Sequence, residues 1–252
     1  MKSLSIFQMY NTNFPQGKDT VRYIQNILKS RKDIRYLFNS IADFYETVNK
    51  ILSLGLDGRW RDKVSSFAEG VTLDIACGTG EMTYRISCNS KVNYVIGLDV
   101  SDKMIRWGLK NKNFCSRFNF VVGAGEFLPF KDNTFDSVSV AFGIRNFEDR
   151  ASALQEIKRV LKNNGYFLIL DTFRPKSKTL TILYKVYLYA IPHITKFLVG
   201  RFEEYLYMSK SILNYMTTDE FAEFLSKNDF FVEKISDMTF GIVSFVLARN
   251  RK

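Results

Sequence analysis

An α/β fold built on a mostly parallel sheet is the class this sequence predicts, and three observations carry the prediction. Val71, Leu73, Ile75 and Ala76 form a short apolar run closed by the glycine turn Cys77-Gly78-Thr79-Gly80, after which Met82 to Ile86 open a helix. A second apolar run over residues 94–98 ends in an acid, Asp99, 21 positions after Gly78. Apolar runs and amphipathic stretches then keep alternating to about residue 171, which places helices on both faces of a parallel sheet.

Each element has its own signal. From residue 19 to about 52, Val21, Ile24, Ile27 and Leu28, then Ile34, Leu37, Phe38, Ile41 and Phe44, recur at helical spacing. Leu54-Gly-Leu-Asp-Gly58 breaks this pattern, and a short helix containing Trp60 follows. Strands are expected near 71–76, 94–99, 118–122, 135–142 and 165–171, and helices near 80–88, 101–111 and 149–162. In the last of these helices Leu154, Ile157, Val160 and Leu161 make one apolar stripe. Asn163-Asn-Gly165 supplies left-handed residues expected to end it. Residues 172 to about 227 interrupt the alternation with helical, aromatic-rich sequence, and 230–237 with 242–248 read as a closing hairpin around Gly241.

With 252 residues, 46% of them hydrophobic, the chain can bury a full core. Its net charge of +10 suits an anionic partner: nucleic acid, an acidic membrane surface or an acidic substrate. Three cysteines at unpatterned spacing argue against a disulfide framework or a zinc site and for a reducing compartment. The first residues lack the apolar core of a signal peptide, and the most apolar window, 180–199, carries Lys185, Pro192, His193 and Lys196, a poor membrane span. The expected location is cytoplasmic, peripheral to the inner face of a membrane at most.

The glycine turn leaves backbone N–H groups open to a ligand at a helix start. Asp99 stands where a carboxylate accepts hydrogen bonds from a ribose diol across a βαβ unit. The dinucleotide fingerprint is not met, because residue 83 is Thr, so a pyrophosphate fits less well than a nucleoside with a smaller charged tail. Asp74 on the first strand would repel an anion and suits a cation. S-adenosylmethionine, with its ammonium, sulfonium and ribose, satisfies all three clues. The alternative is a glycine-rich turn in some other α/β protein.

A longer series of segments is more specific: Ile41-Ala-Asp-Phe-Tyr-Glu46, Leu52-Ser-Leu-Gly55, Trp60, residues 73–80, Gly97-Leu-Asp99, Gly125-Glu-Phe-Leu-Pro-Phe130, Asp132-Asn-Thr-Phe-Asp136, Ala141-Phe-Gly-Ile-Arg-Asn146 and Arg159-Val-Leu-Lys162. In this order they resemble the UbiE/MenG/Coq5 family of quinone-biosynthesis C-methyltransferases. Tyr205-Leu-Tyr-Met-Ser-Lys-Ser-Ile212 and Phe240-Gly-Ile-Val243 extend the resemblance from about residue 34 to the end. It implies a class I, Rossmann-like methyltransferase sheet of seven mostly parallel strands, the last antiparallel. A helical cap over 1–60 would precede a methyltransferase domain over 61–252, with the helical insertion at about 172–227.

Carried over by position, Thr79 lies in the cofactor turn, Asp99 holds the ribose, Ala124 and Gly125 flank the adenine, and Ala141 takes a further cofactor-side place. Beside them stand Gly78 and Gly80 of the turn and Asp74 of the first strand, which the residues themselves mark as cofactor-binding. The family usually has Asn or Asp where this chain has Ala124, whose methyl cannot hydrogen-bond adenine, so that contact falls to backbone groups or Glu126. The implied catalytic residues are Arg145, Asn146 and Tyr45. Arg145 cannot act as a neutral base, and its role would be to stabilise a phenolate or orient a water. Asn146 would hold a quinol oxygen and Tyr45 would close the pocket. The substrate implied is a polyprenyl quinol, no metal is required, and a homodimer is a further expectation.

His193, the only histidine, lies in the variable aromatic region and is expected to have a structural or substrate-tail role. Residues 172–201 carry six Lys or Arg and no acid, interleaved with Phe173, Tyr184, Tyr187, Tyr189 and Phe197. That composition suits either contact with anionic lipid or a packed cap with a solvated basic face. Two other functions compete. Methylation of a different lipid or small metabolite would leave Arg145 and Asn146 unexplained. Nucleic-acid binding has only the net charge in its favour, with no Asn-Pro-Pro-Tyr or Asp-Pro-Pro-Tyr segment and no Pro-Cys pair.

Overall fold

Seven strands form one sheet in the order β3-β2-β1-β4-β5-β7-β6. The computed structural model describes Met9, residues 32–115 and residues 117–251, so the helical pattern around Val21 to Leu28 lies outside the described residues. The strands are β1 (Gly70–Ile75), β2 (Val92–Asp99), β3 (Phe118–Val122), β4 (Phe135–Ala141), β5 (Leu161–Thr172), β6 (Phe230–Met238) and β7 (Val243–Asn250). β1 to β5 pair in parallel, while β7 runs antiparallel to both β5 and β6. The expected mostly parallel sheet and its closing hairpin are both present.

Alternation along the strands sorts the core into two layers. On β5, Phe167 and Ile169 join one apolar cluster while Leu168 and Leu170 join the other, as a side-chain period of two requires. Helices α4 (Glu81–Ser87), α5 (Asp102–Asn111) and α6 (Arg150–Val160) follow β1, β2 and β4 as crossovers. The Ser101 hydroxyl accepts from the N–H of Met104 and starts α5, and Asp149 caps α6 in the same way through the N–H of Ser152.

A third cluster roofs the carboxyl ends of the strands. It joins α1 (Lys32–Ile41) and α2 (Tyr45–Leu52) to α7 (Lys178–Val199) and α8 (Glu203–Leu213), through Ile41, Val48, Tyr184, Leu188, Tyr205 and Ile212. The remaining helices are α3 (Leu56–Ser65), which precedes β1, and α9 (Thr218–Lys227), which precedes β6. The sheet order reverses between β1 and β4, and in an open parallel sheet that reversal leaves a crevice beyond the carboxyl ends.

Two expectations need correction. Asn163-Asn-Gly165 does not separate helix from strand: α6 stops at Val160, and Leu161 is already extended (φ −70, ψ 138) and paired with Phe135. The segment instead forms the register break inside β5, with Asn164 in the left-handed region at φ 61. Cys88 and Cys115 form a disulfide with a Cα–Cα distance of 5.9 Å, against the expectation of none, while Cys77 is a buried thiol. Their separation of 27 residues gave no motif to read.

Candidate active site

The crevice is built from backbone that departs from regular geometry just past the strand ends. Ala76, one residue beyond β1, has φ 54, and Phe142, one residue beyond β4, has φ 61. Both are non-glycine residues in a sparsely populated region, a conformation that persists only where the surroundings over-determine it. The two turns touch, since a Cβ on Gly143 would lie 2.4 Å from the Cβ of Ala76. Gly78 (φ 57) and Gly80 (φ 77) complete the turn after β1. A Cβ on Gly78 would meet nothing nearer than the Tyr45 ring at 3.9 Å, so its backbone conformation rather than crowding selects glycine there.

Asp99 anchors the turn. Its Oδ2 accepts from the N–H of Gly78 at 2.8 Å and its Oδ1 from the N–H of Ser101 at 2.8 Å. Burial pushes its carboxyl up to about 6, while the N–H groups of Ser101 and Gly78 pull the other way. A carboxylate has about four lone-pair sites, so each oxygen keeps acceptor capacity for a ligand.

Two adjoining cavities open here, sharing Tyr45, Ala76, Gly78 and Ala141 in their walls. The first, about 650 Å³, is lined by Asp99, Val100, Gly125, Glu126, Asn146 and Phe147, with Ile34 and Phe38 of α1 above. The second, about 960 Å³, is more polar and includes Glu46, Asn49, Arg61 and Thr79. Of the residues singled out from the sequence, Tyr45, Gly78, Thr79, Asp99, Gly125, Ala141 and Asn146 therefore meet around one space.

The others stand behind its walls. Asp74 is fully buried, accepts from the hydroxyl of Thr83 at 2.6 Å and lines neither cavity. Burial raises its carboxyl to about 6, against the Thr83 hydrogen bond and the charge of Arg61. Gly80 and Ala124 are buried beside the cavity without lining it. Arg145 lies on the 3-10 turn Ile144–Asn146, where its guanidinium donates to the carbonyl of Phe142 at 3.0 Å and to Asp171 at 2.5 Å. Its Nε is buried without a partner. Tyr207 of α8 donates to Asn146 Oδ1 at 3.4 Å, which ties the helical insertion to the site. Burial raises the phenols of Tyr184, Tyr205 and Tyr207, so none of them is a base near neutral pH. His193 is exposed on α7, edge-on to Phe202, and lines neither cavity.

Sequence reasoning missed Arg61. It sits in the charged stretch Gly58-Arg-Trp-Arg-Asp62, which reads as a solvated helix face, yet it is only 7% exposed and walls the second cavity. A helical period would have found it, because Arg61 shares the buried side of α3 with Val64 and Ser65.

Residues 25–249 match the ubiE/COQ5 methyltransferase family. The demethylmenaquinone methyltransferase of Thermotoga maritima is 37% identical over 208 residues, 80% of this chain and 90% of that protein. The ubiquinone/menaquinone biosynthesis C-methyltransferase UbiE of Geobacter sulfurreducens is 31% identical over 252 residues, covering 97% of this chain and 96% of its own. Among solved structures, a putative S-adenosyl-L-methionine-dependent methyltransferase from Methanococcus maripaludis superposes with a TM-score of 0.59 at 18% identity, over 85% of this chain and 92% of that one, a likeness of fold.

Proposed function

The chain belongs to the ubiE/COQ5 methyltransferase family, and on that premise we propose that it moves a methyl group from S-adenosylmethionine to a ring carbon of a polyprenyl quinol, as in menaquinone or ubiquinone biosynthesis. The observation that carries the reading is one cavity lined by Asp99 and Gly78 together with Tyr45 and Asn146. S-adenosylmethionine supplies, when bound, an electrophilic methyl on its sulfonium.

The residues present fit that donor. Asp99 keeps acceptor capacity for the ribose diol, and the left-handed turn at Gly78 leaves the backbone open. Gly125, Glu126 and Phe147 offer a mostly apolar slot for a flat base. Ala124 is paired through its carbonyl with the N–H of Phe127, so hydrogen bonds to the base come from other backbone groups or from Glu126.

On the acceptor side the work is positioning and charge stabilisation. A quinol carbon becomes nucleophilic as its neighbouring hydroxyl loses a proton. Asn146 donates to that oxygen, and Arg145, its charge paired with Asp171, supports it from behind the wall. Tyr45, at the start of α2, covers both cavities and keeps bulk water out. A methyltransferase for amines would need no such phenolate support.

A polyprenyl quinol resides in the bilayer, so the reading includes peripheral contact with an anionic membrane surface through α7. No described helix is long and apolar enough to cross a membrane. Helix α7 buries Tyr184, Leu188, Ile191 and Thr195 and exposes Ile182, Leu183, Val186, Tyr189 and Phe197, with Lys178, Lys185 and Lys196 beside them. The segment's charge is smaller than its sequence suggests: Arg174 pairs with Glu220, Lys176 with Asp219 and Arg201 with Glu204, all acids outside it.

The deciding experiment is mass spectrometry of the quinone pool of cells with and without this protein. A shift of one methyl in a polyprenyl quinone is the expected result. An unchanged pool rules the proposed substrate out.

A further inference from the structure

Arg61 is a buried cation with no ion pair among the described residues. It is 7% exposed, its Nε is buried with no hydrogen-bond partner, and among the described residues no carboxylate pairs with its guanidinium. The guanidinium lies 4.9 Å from the centre of the Phe142 ring, an aromatic contact that holds its position without neutralising its charge. Asp74 and Glu81 act on that charge through space without forming an ion pair with it, and a buried charge is costly unless something pairs with it directly. Arg61 walls the second cavity, on the Gly78–Thr79 side of the turn.

The other charged groups around that cavity are already committed or stand in water, and Asp57 accepts from the Ser53 hydroxyl at 3.0 Å. Arg85 is held by Asp62 and Glu81, and Lys50 is exposed. Glu46 accepts from the Thr79 hydroxyl at 2.6 Å and pairs with Lys112 at 2.7 Å, while Glu81 is bound by Arg85 and Lys112. Asp74, whose Oδ1 also lacks a partner, is fully enclosed and does not reach the cavity. An anionic group entering beside Gly78 therefore finds one buried cation with no direct ion pair among the described residues and an unpartnered Nε.

Resting on the methyl-transfer reading, we propose that Arg61 binds the carboxylate at the amino-acid end of the methyl donor. The nucleoside end belongs to the first cavity with Asp99, and the amino-acid end crosses Gly78 into the second. Arg61 is a binding and positioning residue: by fixing the tail it sets where the sulfonium stands relative to Asn146. A guanidinium also matches a carboxylate as a two-pronged donor, which a lysine ammonium does not.

The test is calorimetry on the full chain with three probes: S-adenosylhomocysteine, its decarboxylated analogue, which keeps the ammonium, and 5′-methylthioadenosine, which lacks the amino-acid end. Wild type should bind S-adenosylhomocysteine about ten- to a hundredfold more tightly than the decarboxylated analogue, the size of a charge-assisted hydrogen bond. In Arg61→Gln and Arg61→Leu that ratio should collapse toward one, while affinity for 5′-methylthioadenosine stays as in wild type. Arg61→Lys should restore only part of the ratio.

A wild-type ratio near one overturns the proposal without any variant, so a misfolded substitution cannot rescue it. Equal weakening of all three probes in a folded variant also overturns it, because that marks Arg61 as a structural support. Binding of none of the probes by wild type overturns the cofactor reading itself, which separates the two failures.

Discussion

Arg145 and Asp171 form a buried ion pair at 2.5 Å, with side chains 8% and 0% exposed, directly behind the cavity wall that carries Asn146. Asp171 also accepts from its neighbouring N–H at Thr172, and its Oδ2 has no partner. The pair fixes the guanidinium on the 3-10 turn and leaves Nε and part of the fork uncommitted. Breaking such a pair from one side leaves an uncompensated buried charge, which costs about 3–5 kcal/mol. Arg145→Ala should therefore lower the denaturation midpoint strongly, and urea unfolding measures it. An unchanged midpoint removes the structural role given to the pair, and activity of the variant must be read on the folded fraction.

Asn146 makes a cleaner probe of chemistry, because it lines the cavity and, among the described residues, its side chain is held by a single long hydrogen bond, from Tyr207. Asn146→Ala should lower kcat on a demethyl quinol by on the order of 10²-fold, the scale of losing one charge-stabilising donor. Affinity for S-adenosylmethionine should stay within about twofold, since the lost interaction belongs to the acceptor. Normal turnover, or an equal loss of cofactor affinity, sinks the assignment.

Much of this site is legible in the sequence wherever the determinant is local. An apolar run followed by Gly78 and Gly80 specifies β1, its turn and α4, because left-handed backbone there restricts the residue choice. The acid ending β2 is readable for the same reason, as its register against β1 brings it beside Gly78. Long-range pairings are not readable. Asp171 lies 26 positions from Arg145, and the acids that neutralise Arg174 and Lys176 come from α9. Arg61 was missed because charge predicts exposure on average, although the helical period that it shares with Val64 and Ser65 marks the buried side of α3.

Asp99 gives the cofactor site a pH dependence whose sign is fixed. Its carboxyl titrates at about 6 because burial disfavours the charge. The ionised form is the stronger acceptor for the ribose hydroxyls, and the protonated form gives up part of that capacity. Affinity for S-adenosylmethionine should therefore rise with pH through about 6 and level off near neutrality, and Asp99→Asn should flatten the profile and weaken binding about tenfold or more. Calorimetry between pH 5 and 8 on both proteins decides it. A flat wild-type profile, or full affinity in the variant, removes Asp99 from the ribose contact.

Membrane association is the remaining prediction, and the fold changes which residues should carry it. Phe197 is 89% exposed, and Leu183 and Val186 point outward with it, whereas Tyr184 is buried and the Tyr187 hydroxyl donates to the carbonyl of Leu52 at 2.7 Å. Replacing those two tyrosines would disturb packing rather than probe a surface. Among the described residues no acid pairs with Lys178, Lys185 or Lys196 of α7, each able to contribute about 1 kcal/mol near anionic lipid. Salt screens that part and leaves apolar burial untouched. Neutralising these three lysines to Gln should abolish the salt-sensitive share of vesicle binding. Lys176→Gln, already paired with Asp219, should change it little. Leu183→Ser with Val186→Ser and Phe197→Ser should instead weaken the binding that survives high salt. Co-sedimentation with vesicles containing anionic lipid reads all four proteins. If wild type stays in the supernatant at low salt, α7 is only a cap over the site.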